Sequence, residues 1–403
     1  MKKTMTAIAL LMSANLFAKP TADIAILLDT SGSMQGLINQ VRDGLWQTIN
    51  GLGEIKKDGE VADLRLALYE YGSGVVSQEA NFIQMLAPLT TDHTVIAQKL
   101  FATEAKGGTE YSGMAIQMAS TDLAFSVDAG DFKSIVIAGN ETIYQGPVDP
   151  LKAAEDSLSK DILVNSIFAG SQTIQVGGGF SGGGFGCAFC PRPNPTPAPP
   201  TDPQTELNPI FAEWRDLAKS GGGESLNIDH NNSIPYIASP FDARIIAATE
   251  EISETYLPFG INGEAEYRRM RDLDRDVRGS GNGSYIGWGN YRSGNFGQST
   301  YATWDLVSAL REGTLDLAVI PVSQLPITFR WLSPEERLEA VMVMEQKRKN
   351  LEDEVADLRA KRKIFVDEQL AQRTQDNEAN FADAIKQILV KQLKSKGFTL
   401  SGN

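Results

Sequence analysis

The sequence predicts an α/β fold: a doubly wound, mostly parallel sheet followed by a mainly helical C-terminal module. Three observations carry this. From Ala22 to about Gly260 short β-like apolar runs alternate with amphipathic helical stretches, the pattern of consecutive βαβ units. The runs Ile24–Leu28 and Ile135–Ala138 are apolar without alternation, as strands covered on both faces must be. Beyond residue 333 the pattern is helical, and Ser333-Pro334-Glu335-Glu336 supplies a capping serine, a proline at the first helical position and a glutamate that reaches back to the cap.

In order along the chain, the apolar runs place strands at 23–28, 64–71, 82–86, 134–138, 163–169 and 225–228. The stretches between and after them place helices at 36–52, 94–103, 112–125, 150–159, 209–220 and 241–256. These make one domain over 19–260, interrupted at 171–208 by a loop insertion in which seven of the ten residues 177–186 are glycine and seven of the thirteen residues 191–203 are proline. Such composition forms linkers rather than fold elements. Residues 261–332 are expected to be a mixed linker region, with a charged helix at 264–277 and then a Gly- and aromatic-rich stretch without period. In the C-terminal module, 333–403, Met344, Leu351, Leu358 and Phe365 recur every seven residues, while Arg348 and Arg362 interrupt the second seam. A short helical hairpin or modest coiled coil is expected, with the amphipathic segment Phe381–Leu393 packing back on it and self-association possible through these helices.

Length and composition set further bounds. With 403 residues, 42% of them hydrophobic and 22% charged, the chain is long enough for two folded domains. Residues 1–18, with Lys2 and Lys3 ahead of an apolar stretch, form an expected secretory signal peptide. No later run approaches the roughly 18 apolar residues of a membrane span. The expectation is an exported protein, in a periplasm, at the cell surface or secreted. The formal charge of −14, without a basic stripe, disfavours nucleic acid and anionic lipid as partners.

The stretch Asp29-Thr30-Ser31-Gly32-Ser33 follows the first strand directly. It stands at the carboxyl end of that strand, where ligands gather in doubly wound sheets. Alternate residues Asp29, Ser31 and Ser33 turn their oxygens toward one point. One carboxylate and two hydroxyls form a hard-oxygen set suited to Mg²⁺ or Mn²⁺, ions that leave coordination positions open.

The D-x-S-x-S pattern between an apolar strand and a helix resembles the metal-ion-dependent adhesion site of von Willebrand factor type A domains, and Gly107-Gly108-Thr109-Glu110 resembles that family's second loop. The resemblance covers about residues 22–260. It implies a type A, Rossmann-like fold, first-loop metal ligands Asp29, Ser31 and Ser33, and direct coordination by Thr109. The third loop departs from the family's Thr-Asp-Gly: here it is Ala138-Gly139-Asn140-Glu141, with glycine at the Asp position. Glu141, two residues on, is the acid expected to take its place, with Asn140 offering an amide oxygen. The run Ile135–Pro147, together with Trp304–Val307, resembles a bacterial group of exported type A proteins with a helical tail.

Weaker candidates weigh toward structure. Cys187 and Cys190 are spaced for a redox pair, but between glycines and prolines they fit a disulfide pinning the loop. His93 and His230 are expected at the surface or at caps. Asp272, Asp274 and Asp276 alternate with arginines, as on a solvated helix. Tyr285, Trp288, Tyr291, Phe296, Tyr301 and Trp304 suit either interdomain packing or a sugar- or peptide-binding face. No His stands beside Ser31 or Ser33 in sequence, so no enzyme is expected. The expected function is divalent-metal-dependent protein binding, with an acidic side chain of the partner completing the metal shell. The alternatives are a structural envelope protein with a vestigial metal site, acting through its tail, and a CxxC thiol-redox protein.

Overall fold

A computed structural model of the chain describes residues 19–176, 204–228, 236–294, 300–371 and 381–401. The expected signal peptide, Cys187 and Cys190, His230, Phe296 and most of the Gly/Pro insertion lie outside these residues. Among the described residues no helix is long and apolar enough to cross a membrane.

The main sheet has six strands. They are β1 (Thr21–Asp29), β4 (Asp63–Tyr71), β5 (Ile83–Thr90), β6 (Phe132–Gly139), β7 (Leu163–Phe168) and β10 (Gly222–Asn227), in the order β10-β7-β6-β1-β4-β5. Every pairing is parallel except that of the edge strand β5 with β4. Central β1 sends Ile24, Ile26 and Leu28 into one apolar cluster and Ala25 and Leu27 into another, so burial on both faces explains its unbroken apolar run. This is the doubly wound, mostly parallel architecture that the sequence predicts.

Helices α3 (Ser112–Asp122), α4 (Pro150–Ser159) and α5 (Pro209–Ser220) cover the second face. Two of them begin at a side-chain cap followed by proline: Asp149 accepts from the backbone N–H of Leu151 at 2.9 Å, and Asn208 from that of Ile210 at 3.0 Å. Each cap satisfies one of the donors that a helix start leaves open.

The first face is covered by α1 (Gln35–Leu52), α2 (His93–Ala102) and, from the far end of the chain, α11 (Phe381–Ser395). Here the structure corrects an expectation: Phe381–Leu393 does not pack back on the long C-terminal helix but on α1 and on strands β7 and β10. Gly44 on α1 permits it, since a Cβ there would stand 2.8 Å from the Cβ of Ala382. The amides of Asn165 on β7 and Gln392 on α11 exchange hydrogen bonds of 3.0 and 2.7 Å. After α11 comes β11 (Phe398–Leu400), which joins a small sheet with β2 (Ile55–Lys57) and β3 (Glu60–Val61).

Outside α1 and α2 lies a further helical layer, α6 (Asp242–Ser253), α7 (Gly263–Ser280) and α8 (Asn282–Ser293). The Gly- and aromatic-rich stretch thus contains a helix, whose Trp288 and Tyr291 sit 4.7 and 4.6 Å from Trp46 of α1. Tyr285, Trp288, Tyr291, Tyr301 and Trp304 are all buried, so these aromatics are packing between layers and not an open binding face. Asp274 is likewise buried rather than solvated, because it meets Arg292 at 3.0 Å and the Ser253 hydroxyl at 3.0 Å.

A third apolar cluster joins α9 (Leu306–Arg311), Leu325 and Phe329 to Val341 of α10 (Pro334–Ala371). The predicted capping box opens α10: the Glu336 N–H donates to Ser333 Oγ at 3.2 Å, and the Ser333 N–H to Glu336 Oε2 at 2.7 Å. Arg348 does not interrupt a seam. It is buried, donates to Asp305 at 2.7 Å and to Thr255 at 2.7 Å, and lies 4.2 Å above the Tyr256 ring. Outside the main sheet, β8 (Thr173–Val176) and β9 (Gln204–Leu207) pair antiparallel at the base of the insertion.

Candidate metal centre

Three loops meet at the carboxyl end of β1: 29–33 after β1, 107–110 between α2 and α3, and 139–145 after β6. Backbone hydrogen bonds fasten them. The Thr30 N–H donates to the Tyr71 carbonyl at 2.9 Å, the Gly32 N–H to the Gly107 carbonyl at 3.2 Å, and the Lys106 N–H to the Thr30 carbonyl at 2.8 Å. Thr30 turns its hydroxyl toward Glu70 and Tyr71, while the hydroxyls of Ser31 and Ser33 adjoin each other.

Asp29 is fully buried, and its Oδ1 accepts the Ser31 N–H at 2.8 Å. Ser31 Oγ lies 3.4 Å from Ser33 Oγ, and Ser33 Oγ accepts from the Asn140 amide nitrogen at 3.3 Å. Thr109 is half-buried on the second loop. Glu141 is exposed at the rim, where its Oε2 accepts from Gln145 Nε2 at 2.9 Å, while Gln145 Oε1 accepts the Glu110 N–H at 3.1 Å. The loops therefore bring Asp29, Ser31 and Ser33 into one cluster with Asn140, and hold Glu141 further out.

The residue that sequence reasoning passed over is Glu110. It is buried, and its side chain and that of Asp29 both border Gly72, where a Cβ would stand 2.9 Å from Glu110 Cγ and 3.1 Å from Asp29 Oδ1; the two carboxyls interact directly. Burial, and then the charge of Glu110, push the Asp29 carboxyl well above its usual range. Burial and then the charge of Glu141 raise Glu110. Two adjoining carboxyls in a dry site disfavour their own charged forms unless a cation stands beside them. A signal for Glu110 was available: an acid directly follows Thr109 in a chain whose third loop carries none at 139.

Position 139 has no room for a side chain. A Cβ at Gly139 would lie 2.4 Å from Tyr71 Oη and 3.0 Å from the Trp214 ring. Tyr71 donates to the Ala138 carbonyl at 2.9 Å and Trp214 to the Glu141 carbonyl at 2.8 Å, so both rings are pinned against this loop.

The donor set fits a divalent cation. Asp29 Oδ2, Glu110 Oε1 and Asn140 Oδ1 are buried acceptors with no hydrogen-bonding partner, and buried polar atoms left so are costly. A hard cation satisfies oxygen acceptors of this kind. Among the described residues no group of three or more His, Cys, Asp or Glu is gathered for a metal, so a site here depends on hydroxyl and amide oxygens as well as the two acids.

His93 is neither exposed nor a cap. It is buried in the first turn of α2, with Nε2 2.9 Å from the Leu64 carbonyl oxygen, and Asp92 is the cap.

No family model matches the sequence, and no curated protein is similar to it. Among solved structures, the chain is similar to an aerotolerance-related membrane protein from Bacteroides fragilis, at 17% identity, over 52% of this chain and 93% of that one, with a TM-score of 0.33. It is similar also to the VWA domain of SpRpn10, at 16% identity over 53% and 90% with a TM-score of 0.33. A third is proximal thread matrix protein 1 from the mussel byssus, solved with a zinc-occupied MIDAS motif, at 16% identity over 38% and 39% with a TM-score of 0.29.

Proposed function

We propose that the protein is an exported, divalent-cation-dependent binding protein of adhesion or scaffold type. The observation that supports this reading is the set of orphaned oxygens on Asp29, Glu110 and Asn140 beside the Ser31–Ser33 hydroxyl pair. Asp29, Ser31, Ser33 and Thr109 would hold Mg²⁺ or Mn²⁺, Glu110 would supply the second negative charge from within the site, and Glu141 would add negative potential at the rim. The bound ion would present an open coordination position to an acidic side chain of a partner protein. What the chain itself contributes is rigidity: the Tyr71 and Trp214 anchors fix the third loop and the Thr30 bonds fix the first, so the oxygens keep their places whether or not a partner is present.

The test is calorimetric titration of the full chain with Mg²⁺ and with Mn²⁺, with and without acetate as a stand-in for the partner's carboxylate, beside Asp29→Ala. Saturable heat in the unmodified protein that disappears in Asp29→Ala supports the reading. Equal heat in both proteins, or none in either with acetate present, rejects it.

A further inference from the structure

A second polar cleft, of about 370 Å³, opens at the other end of the sheet. Its wall includes Asp92, which follows Thr90 of β5, and Thr90 pairs with Leu66 near the start of β4, whereas the cation loops gather beyond Tyr71 at its end. The cleft lies between the start of α2, the start of α7 and the segment 300–304, and backbone bonds hold it open: the Phe259 N–H donates to the Trp304 carbonyl at 2.7 Å and the Gly260 N–H to the Gln324 carbonyl at 2.9 Å.

Its charges are already spent on one another. Arg269 donates to Asp92 at 2.8 Å and to Glu266 at 2.7 Å. An anion would meet two carboxylates here, and a cation would meet the guanidinium between them. What stays available is neutral: the side-chain amides of Asn262 and Gln324 and the hydroxyl of Thr303, above the buried ring of Trp304. Asn262 begins α7 without capping it. Phe259 and the largely exposed Ile261 add apolar surface to the same wall.

We infer that this cleft binds a neutral, hydroxyl-rich ligand, a mono- or disaccharide, through Asn262, Gln324 and Thr303. A sugar offers donors and acceptors together and carries no charge to conflict with the Asp92–Arg269–Glu266 cluster. Its C–H faces match the Phe259 and Ile261 walls. The volume is at the small end of ligand pockets, which suits one or two rings and not a long chain.

The experiment is saturation-transfer NMR on the full chain with glucose, N-acetylglucosamine, maltose and, as a non-sugar neutral probe, a blocked alanine tripeptide. At least one sugar is expected to bind with a dissociation constant of about 1 mM or below. Asn262→Ala and Gln324→Ala should each weaken it about five-fold, the share of a single neutral hydrogen bond. Asp29→Ala at the cation loops should leave it unchanged. Absence of binding by every sugar, binding of the tripeptide alone, or sugar binding indifferent to both amide variants would each overturn the assignment.

Discussion

The carboxyl groups of Asp29 and Glu110 adjoin at the end of β1, each with one oxygen buried and unpaired. Glu110→Gln should therefore act in two opposite ways. Cation affinity falls about ten-fold, because one of two inner charges is gone, while the metal-free protein gains about 1 kcal/mol, because one of two adjoining buried charges is gone. Glu141→Gln, at the exposed rim, should weaken the cation much less. Calorimetry and thermal unfolding of the same three proteins check both effects, and a larger loss in Glu141→Gln than in Glu110→Gln would show that the rim acid is the ligand. Since burial raises both inner carboxyls, protons compete with the ion, and affinity should drop as the pH is lowered.

Placing an acid at position 139 of the third loop should harm the protein. Gly139→Asp places a side chain where Tyr71 Oη and the Trp214 ring already stand, at a cost of about 1–3 kcal/mol for overpacking. In a Tyr71→Phe background part of that loss should be recovered. Denaturant unfolding of the single and double variants measures it, and a Gly139→Asp protein as stable as the unmodified one would mean that the loop relaxes freely.

His93 gives the fold a pH response of its own. Unfolded, it takes up a proton below about pH 6.5; folded, burial lowers its pKa to about 4. Between those values the unfolded chain binds more protons, so the stability contributed by neutral His93 is full above the window and is lost as pH falls through it. The loss is of order 3 kcal/mol. Unfolding of the unmodified protein and of His93→Gln at pH values across the window should show the steeper decline in the former, and parallel declines would refute the assignment to His93.

Arg348 should be sensitive to conservative replacement. Arg348→Met keeps length and apolar bulk but leaves Asp305 buried without its cation, and breaking such a pair costs about 3–5 kcal/mol. Asp305 also caps α9 by accepting the Ser308 N–H at 2.9 Å, so hydrogen exchange should quicken in α9 as well as in α10. Unchanged exchange in α9 would show that the cap is independent of the pair.

Much of this structure is legible in the sequence because the signals are local. The helices at 150–159 and 209–220 begin and end at the observed residues, since an Asp or Asn cap, a proline and an apolar period all lie within one segment. Asp29, Ser31 and Ser33 are legible for the same reason: a strand, a turn and three oxygens fall in five consecutive residues. Glu110 is not, because its place beside Asp29 depends on the bonds by which Thr30 and Gly32 join Tyr71 and Gly107. Asp274 and Arg348 look like solvated or interrupting charges along their own helices, and only Arg292 and Asp305, on other elements, make their burial affordable. Strands as short as β2, β3 and β11 have no period to detect.

The docking of α11 on α1 and of β11 on β2 bears on how the chain acquires this shape. A nascent chain can form β1, β4 and β6 early, but the apolar floor at Ile24, Val41 and Leu45 meets its partners Phe381, Ile385 and Leu389 only when those residues have emerged. Closure across so long a stretch is entropically slow. Any chain interrupted before Phe381 would present that floor to solvent, to chaperones or to its neighbours, so residues 381–389 act as a seal on surface laid down more than three hundred residues earlier.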